Sequence, residues 1–181
     1  MLGKRAAGEA NLLVYILTEE LGLVRATVRA ARREDSKLRY GLEPMTLGRY
    51  SFVRGKQQWR LTGVLPQERL LPREPARRAQ SGKVAKLLLR LLAGEERVPE
   101  LLAVVAEGLR SLAAAATKEE AEAVECVLVL RIVARLGYLP HTEALAPFID
   151  GVYSVELSAK ALSQRALLVR TINESLIATG L

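Results

Sequence analysis

The spacing of apolar residues along this 181-residue chain changes near residue 72. Before that point apolar residues form short runs rich in β-branched side chains, some of them alternating with polar residues, which is the period of a strand. After it they recur every three or four residues, which is the period of a helix. The pattern predicts an α+β protein with a β domain over residues 1–71, a linker over 72–80 and a helical domain over 81–181.

Apolar runs in the first domain predict four or five short strands, four of them arranged as two hairpins. These four are expected at Leu12–Thr18, Leu23–Ala30, Thr46–Val53 and Gln57–Leu65. A glycine falls in each short connection, where a hairpin turn needs a positive φ angle. Because unpaired strand edges are a liability, we expect these antiparallel strands to close into a small barrel.

The second predicted strand has an apolar face and a basic face. Its even-numbered positions from 24 to 30 are Val or Ala, whereas Arg25 and Arg29 stand at odd-numbered positions. Successive side chains of a strand point to opposite faces. Both arginines are therefore expected on one face, opposite the apolar one.

Prolines and helix signals organise the second half of the chain. Pro66, Pro72 and Pro75 mark the linker. Helices are expected over Lys83–Ala93, from Pro99 to Ala116, from a Thr117 cap through Arg135, and once or twice between Ser158 and Gly180. The run Val124–Val133, apolar almost all round, predicts the buried central helix.

Excess positive charge is confined to the first 80 residues. They hold 16 Lys and Arg against 8 Asp and Glu, whereas residues 81–181 hold 11 against 12. The densest part is Arg25–Arg39, with six Lys and Arg against two acids, and it overlaps Arg32–Met45, which is predicted as a charged loop between the hairpins. Clustered cations attract a polyanion and release its counterions on contact. The distribution favours nucleic-acid binding by the first domain over a basic surface without a partner.

Candidate nucleic-acid contacts are cations of this domain together with one aromatic ring expected to be exposed. They are Arg25, Arg29, Arg32, Arg33, Lys37, Arg39, Tyr40, Arg54 and Lys56. Trp59 could stack on a base, but membership of the barrel core with Leu61 and Leu65 is the favoured interpretation. With so few aromatic rings, we expect backbone charge to dominate binding and base identity to be barely read.

Catalytic and metal chemistry are hard to build from this inventory. The chain has a single histidine, His141, and a single cysteine, Cys126, which falls in the helix expected to be most buried. A zinc site needs about four nitrogen or sulfur ligands. No Gly-Lys pair has the spacing of a phosphate-binding P-loop. We therefore expect a protein that is not an enzyme and that holds no metal or cofactor.

Compartment signals point to the cytoplasm. One cysteine cannot form an internal disulfide, which is typical of a reducing compartment. The apolar runs are too short to cross a bilayer, and Glu9 and Asn11 interrupt the stretch where a signal peptide would be apolar. We expect a cytoplasmic protein with no membrane partner.

Several short segments, in matching order and spacing, resemble RecO, the bacterial recombination mediator. Those similar to its N-terminal domain are Gly8–Leu13, Thr18–Gly22, Ala31–Leu38 and Leu42–Pro44. Arg131–Pro140, which ends in Leu-Gly-Tyr-Leu-Pro, resembles the end of a helix in the family's C-terminal domain. The resemblance covers roughly residues 3–149.

The resemblance implies an oligonucleotide-binding (OB) barrel followed by an all-α domain. It further implies binding to single- and double-stranded DNA, annealing of complementary strands and help in loading RecA during recombinational repair at the nucleoid. RecR and single-strand-binding protein are the implied protein partners, with RecA an indirect one. Two alternatives remain open: an RNA-binding OB-fold protein, and a shortened RecO-like adaptor that no longer binds DNA.

This chain departs from the family pattern at identifiable places. Ala30 stands where the family usually has glycine, just before the basic loop. His141–Gly151 lacks the cysteines with which many members bind zinc, so the helical domain is expected to be zinc-free. Because the chain is shorter than usual for the family, we expect little sequence for a first barrel strand and no basic C-terminal tail.

Overall fold

The computed structural model describes residues 1–31, 38, 41–56, 58–178 and 180. The chain forms two compact units. The sheet unit comprises residues 1–71 and 85–97, and the helical unit comprises residues 72–84 and 98–181. None of the helices within the described ranges combines the length and the apolar character needed to span a bilayer.

Five strands of the sheet unit form one mixed sheet. They are β1 (Gly3–Ala6), β2 (Leu12–Thr18), β3 (Gly22–Val28), β4 (Thr46–Arg54) and β5 (Trp59–Arg69). Their order in the sheet is β1-β2-β3-β5-β4. The two hairpins are confirmed, and β1 adds a fifth strand at the edge. The expectation of a wholly antiparallel sheet is wrong at one place, because β3 and β5 pair in parallel.

The expected closure into an OB-type barrel is wrong, and the sheet is open. β1 and β4 stand at opposite ends of the strand order. Their leading residues approach at one corner, where the Met1 amino group donates to the Thr46 carbonyl (2.7 Å) and the Met45 N–H donates to the Met1 carbonyl (2.9 Å). Met45, the residue before β4, has a φ of 59°, so the backbone is not extended at this position. These two hydrogen bonds do not continue as a ladder between β1 and β4.

Alternate positions of β2 and β3 build the core of the sheet unit. On β3, Val24, Ala26 and Val28 have 0% exposure. They pack with Val14 and Ile16 of β2 in one apolar cluster. The predicted apolar face is therefore confirmed, and its burial directs Arg25 and Thr27 to the opposite face, where Leu23 is nevertheless buried at 1% exposure.

The segment 85–97 belongs to the sheet unit although it is distant in sequence. The Leu23 N–H donates to the Gly94 carbonyl at 3.0 Å. Gly22 has a φ of 67°, and a β-carbon on it would overlap the carbonyl of Glu96. Glycine is thus required there twice, by the turn and by the close approach of the backbone.

Six helices follow the sheet in the described part of the chain. They are α1 (Pro75–Leu91), α2 (Leu101–Ala114), α3 (Lys118–Arg135), α4 (Ala146–Ile149), α5 (Val155–Ser163) and α6 (Arg165–Ala178). The predicted start at Lys83 is wrong, and residues 75–80 of the predicted linker are helical. Pro75 fits the first turn of α1, where the Glu74 carboxylate accepts from the Ala76 N–H at 3.1 Å.

The remaining helices follow the predicted signals except at two places. Thr117 caps α3 by accepting from the Glu120 N–H at 3.1 Å, as its spacing predicts. α5 begins earlier than the expected Ser158, because Ser154 is the residue that caps it. The short α4 is not predicted. Most of the run 124–133 is buried, which confirms α3 as the central helix of its unit.

Candidate nucleic-acid interface

The strand pairing carries one line of residues across the outer face of the sheet. Thr27 on β3 pairs with Leu13 on β2 and with Arg60 on β5. Leu13 pairs in turn with Arg5 on β1. Directly paired residues project from the same face of a sheet. Arg5 and Arg60 therefore lie on the outer face, in line with Thr27.

Two more arginines flank Thr27 along the chain. Arg25 lies two residues before Thr27, so the alternation of the strand sends both outward, whereas Arg29 follows Val28, the last residue of β3, and is exposed there. We call Arg5, Arg25, Arg29 and Arg60 the outer row. Neighbouring strands lie about 4.8 Å apart, so the row reaches across about 14 Å from β1 to β5.

The outer row is exposed, and no acidic residue that the structure describes is paired with it. All four arginines are solvent-exposed. Their side chains form no ion pair or hydrogen bond with any residue that the structure describes. Guanidinium groups stay protonated and present up to five N–H donors each. The row can therefore offer its full charge and its donors to an external anion.

The predicted site residues fall into three groups in the structure. Arg25 and Arg29 lie in the outer row. Arg54 and Lys56 are exposed at the connection between β4 and β5. The others lie outside the described residues, so their part of the site stays a prediction; these are Arg32, Arg33, Lys37, Arg39 and Tyr40.

Arg54 differs from the outer row because it has partners. Its Nη1 lies 2.6 Å from the Oε2 of Glu95, in the segment that belongs to the sheet unit. Its guanidinium carbon lies 4.7 Å from the centre of the Trp59 ring. The hydrogen bond from Arg54 lowers the pKa of the Glu95 carboxyl, and the nearby Trp59 indole adds to this effect. The three groups form a small charged cluster at the end of the β4–β5 hairpin.

Trp59 is half-buried and belongs to the sheet core rather than to an open stacking surface. Its ring meets Phe52 edge to face, with 6.2 Å between the ring centres. Leu61 is buried as predicted, but Leu65 is 60% exposed and is not a core residue. The β4–β5 ladder shifts register between Ser51 and Phe52, and such a bulge changes which positions face inward.

Sequence reasoning placed neither Arg5 nor Arg60 in the site. Arg60 had a usable signal, since it sits between the inward-facing Trp59 and Leu61 and must then point outward. Arg5 had none, because its position depends on β1, a strand of four residues that only its pairing with β2 defines.

The histidine and the cysteine of the helical unit lie in no metal-binding cluster within the described part of the chain. No group of three or more His, Cys, Asp and Glu is placed to hold a metal ion there. His141 is exposed, with its Nε2 2.7 Å from the Asp150 carboxylate. Cys126 is 8% exposed, and burial raises the pKa of its thiol. A buried thiol with a raised pKa is a poor nucleophile.

Comparison with known proteins identifies the family. Residues 1–65 match the family model described as recombination protein O N terminal. The DNA repair protein RecO of Gloeothece citriformis (strain PCC 7424) is 32% identical over 161 residues, covering 83% of this chain and 57% of that protein. This chain belongs to the RecO family.

Other RecO proteins show a similar level of identity. The DNA repair protein RecO of Heliobacterium modesticaldum (strain ATCC 51547 / Ice1) is 29% identical over 143 residues, covering 78% of this chain and 50% of that protein. That of Synechococcus sp. (strain JA-2-3B'a(2-13)) is 28% identical over 148 residues, covering 76% and 52%. The chain spans about half the length of the curated relatives it matches.

The match to the RecO N-terminal family contains the whole outer row and ends within β5. It also contains Ala30, which precedes the residues outside the described part of the chain. Ala30 has a φ of 53°, and its N–H donates to the Asn11 Oδ1 at 3.0 Å. This left-handed conformation suits glycine and costs energy for alanine.

Proposed function

We propose that this chain acts as a RecO-type recombination mediator. In this proposal it binds single- and double-stranded DNA, anneals complementary strands and helps to load RecA in recombinational repair. Its partners are DNA, RecR and single-strand-binding protein, with RecA an indirect one, and it works at the nucleoid in the cytoplasm without catalytic activity. The observation that carries the proposal is the exposed outer row, which has no ion-pair partner among residues 1–31, 38, 41–56, 58–178 and 180.

Phosphate contact by the outer row supports both binding and annealing. Each arginine that meets a phosphate releases counterions, which favours binding at low salt and does not depend on sequence. Neutralised phosphates also repel a second strand less, since the repulsion between like charges falls with their net charge. The sparse aromatic content of the sheet unit leaves little for base readout.

The salt dependence of binding tests the proposal. If about four to six phosphates are neutralised, log K against log salt should slope by about −3 to −4 on a single strand. The triple change Arg25→Gln, Arg29→Gln and Arg60→Gln should flatten the slope by about 2 units and weaken binding at least ~10-fold at low salt. A slope near zero for the unmodified chain, or a strong preference for one sequence, would contradict the proposal.

A matched control removes the same charge elsewhere. Lys118, Lys160 and Arg170 are exposed on α3, α5 and α6. Their replacement by Gln lowers the net charge by the same amount but leaves the outer row intact. This control should keep most of the slope. Equal losses in the two triple variants would mean that overall charge, rather than the outer row, drives binding.

RNA is the second ligand that the same cations could hold. Competition between a single DNA strand and a structured RNA of equal length separates the two. Preference for the RNA would indicate that the protein acts in RNA metabolism instead of DNA recombination. A protein that binds neither would be the adaptor, which the unpaired outer row argues against.

A further inference from the structure

An exposed seam runs along α6 on the side away from its core. The helix packs on its own unit through Leu168 and Ile172, which are buried. Successive residues of a helix turn by about 100°, so exposed residues at spacings of three, four and three share one stripe on the opposite side. These residues are Leu167, Arg170, Glu174 and Ile177, which we call the α6 seam.

The α6 seam has apolar ends and a charged centre. Leu167 is 49% exposed and Ile177 is 73% exposed. Between them, the Arg170 Nε lies 3.2 Å from the Glu174 Oε1, and both side chains are mostly in solvent. In this pair the cation precedes the acid along the helix, which is the less favourable order for residues four apart. Both charges can therefore gain from a further counter-charge outside the helix.

The order of residues in the seam is complementary to itself when the helix is reversed. Leu167 and Ile177 are each five positions from Ile172, and Arg170 and Glu174 are each two positions from it. A two-fold axis at the level of Ile172 therefore sets Leu167 of one copy beside Ile177 of the other, and Arg170 beside Glu174. Such an interface is isologous, and each contact occurs twice. Alternating spacings of three and four are also those of paired helices in a coiled coil.

We propose that the α6 seam joins two copies of this chain through antiparallel α6 helices. Apolar contacts at the two ends of the seam exclude water and supply the affinity. Four charges of alternating sign meet at its centre, and such a network contributes more than a single exposed pair. A parallel arrangement would instead set Arg170 beside Arg170 and Glu174 beside Glu174, which is repulsive. The charges thus select the antiparallel register.

Overall charge permits this association, and the size of the seam limits its strength. Residues 81–181 hold 11 Lys and Arg against 12 Asp and Glu, so the half of the chain that contains α6 has little net charge to repel a second copy. One pair of 14-residue helices buries less area than stable dimers usually bury. We therefore expect a reversible dimer with a Kd of about 10–100 µM. At the lower concentrations of DNA-binding and unfolding measurements the chain is then a monomer.

Exchange of the two central charges tests the register. Arg170→Glu leaves acids at both central positions and Glu174→Arg leaves cations at both, so each single variant should associate at least ~10-fold more weakly. The double variant restores opposite charges across the axis and should dimerise again. An equimolar mixture of the two single variants should form a mixed dimer for the same reason. Analytical ultracentrifugation without DNA, up to about 200 µM of chain, compares each mass with the 19.9 kDa of one chain.

Removal of an apolar end tests the rest of the seam. Ile177→Gln should also weaken association at least ~10-fold, because the two-fold axis repeats the loss at both ends. Val152→Gln is the matched control, since Val152 is 78% exposed and lies outside α6. The control should dimerise like the unmodified chain. Both positions are exposed, so the far-UV circular dichroism of the monomer should not change in either variant.

Three results would overturn the proposal. A mass that stays at 19.9 kDa at about 200 µM would leave this face of α6 to a different protein. A dimer that survives both single charge variants, or that the double variant does not restore, would place the contact elsewhere. Equal losses in Ile177→Gln and Val152→Gln would indicate unspecific apolar association. These results leave the outer row untouched, because the inference does not rest on the proposed function.

Discussion

The sheet unit and the helical unit use arginine in opposite ways. The outer row projects into solvent and has no partner among the described residues. Arg131 of α3, by contrast, is 4% exposed. Its Nε donates to the Phe148 carbonyl at 2.8 Å, its Nη2 donates to the Gly151 carbonyl, and its guanidinium lies 4.2 Å from the centre of the Tyr153 ring.

Surroundings, rather than residue type, decide what each arginine does. A buried guanidinium is costly unless hydrogen bonds replace its water. Arg131 meets this condition with carbonyls of the segment around α4, and so fastens that segment to α3. The outer row remains hydrated and pays no such cost, which leaves it available to an external anion.

The largest expected effect is a loss of stability when Arg131 is replaced, and it tests the contrast between the buried arginine and the exposed outer row. Arg131→Met should destabilise the helical unit by about 3–5 kcal/mol, since two buried carbonyls lose their donor and Tyr153 loses its cation. Arg170→Met, at an exposed position of α6, is the control and should stay within ~0.5 kcal/mol. Urea unfolding measures both. If Arg131→Met lowers the free energy of unfolding by less than ~1 kcal/mol, Arg131 does not have the structural role that distinguishes it from the outer row.

A smaller effect, on binding instead of stability, is expected from the four cations between residues 32 and 39, which the sequence predicts to lie in a loop. Arg32, Arg33, Lys37 and Arg39 lie outside the described residues, and their role rests on the sequence. Changing all four to Glu should weaken DNA binding at least ~10-fold at low salt, because phosphate contacts are replaced by repulsion. Melting should shift little, since exposed substitutions usually stay within about 0.5 kcal/mol.

Melting and DNA binding at one fixed salt concentration test the loop. Unchanged binding with unchanged melting would place the DNA site elsewhere, with the outer row as the remaining candidate. A collapse of melting would show that these cations belong to the fold, as Arg131 does.

A still smaller effect, on stability, is expected where the backbone of the sheet unit is strained at Ala30. Ala30→Gly should stabilise the protein by up to ~1 kcal/mol, because glycine adopts the positive φ of this position without steric cost. Ala159→Gly, at an exposed position in the middle of α5, is the matched control and should destabilise by about 1 kcal/mol. Thermal melting distinguishes them by sign. Destabilisation by both would show that Ala30 carries no strain.

No effect is expected from metal removal. The helical unit has an apolar cluster around Phe148 and the Arg131 contacts to hold the segment that contains α4. A chelator should therefore leave the melting temperature unchanged, and elemental analysis should find no stoichiometric zinc. One tightly bound zinc per chain would show that the segment around α4 depends on more than Arg131.

The hydrophobic pattern predicted the local structure well where one element carries its own signal. Period-two alternation gave β3 and its outward Arg25, and the spacing of Thr117 and Glu120 gave the start of α3. The prediction failed where a contact between residues distant in sequence determines the local structure. α4 depends on Arg131, and the exposure of Leu65 depends on a register shift between β4 and β5.

By itself, the sequence determined the α+β class, the two hairpins, the buried central helix and the concentration of positive charge in the first 80 residues. These follow from periodicity and composition, which act over a few neighbouring residues. Only the tertiary structure decided that the sheet stays open, that Arg5 and Arg60 join Arg25 and Arg29 in one row, and that Glu95 meets Arg54. Strand register and long-range ion pairs join residues far apart in sequence, and no local pattern encodes which of them meet.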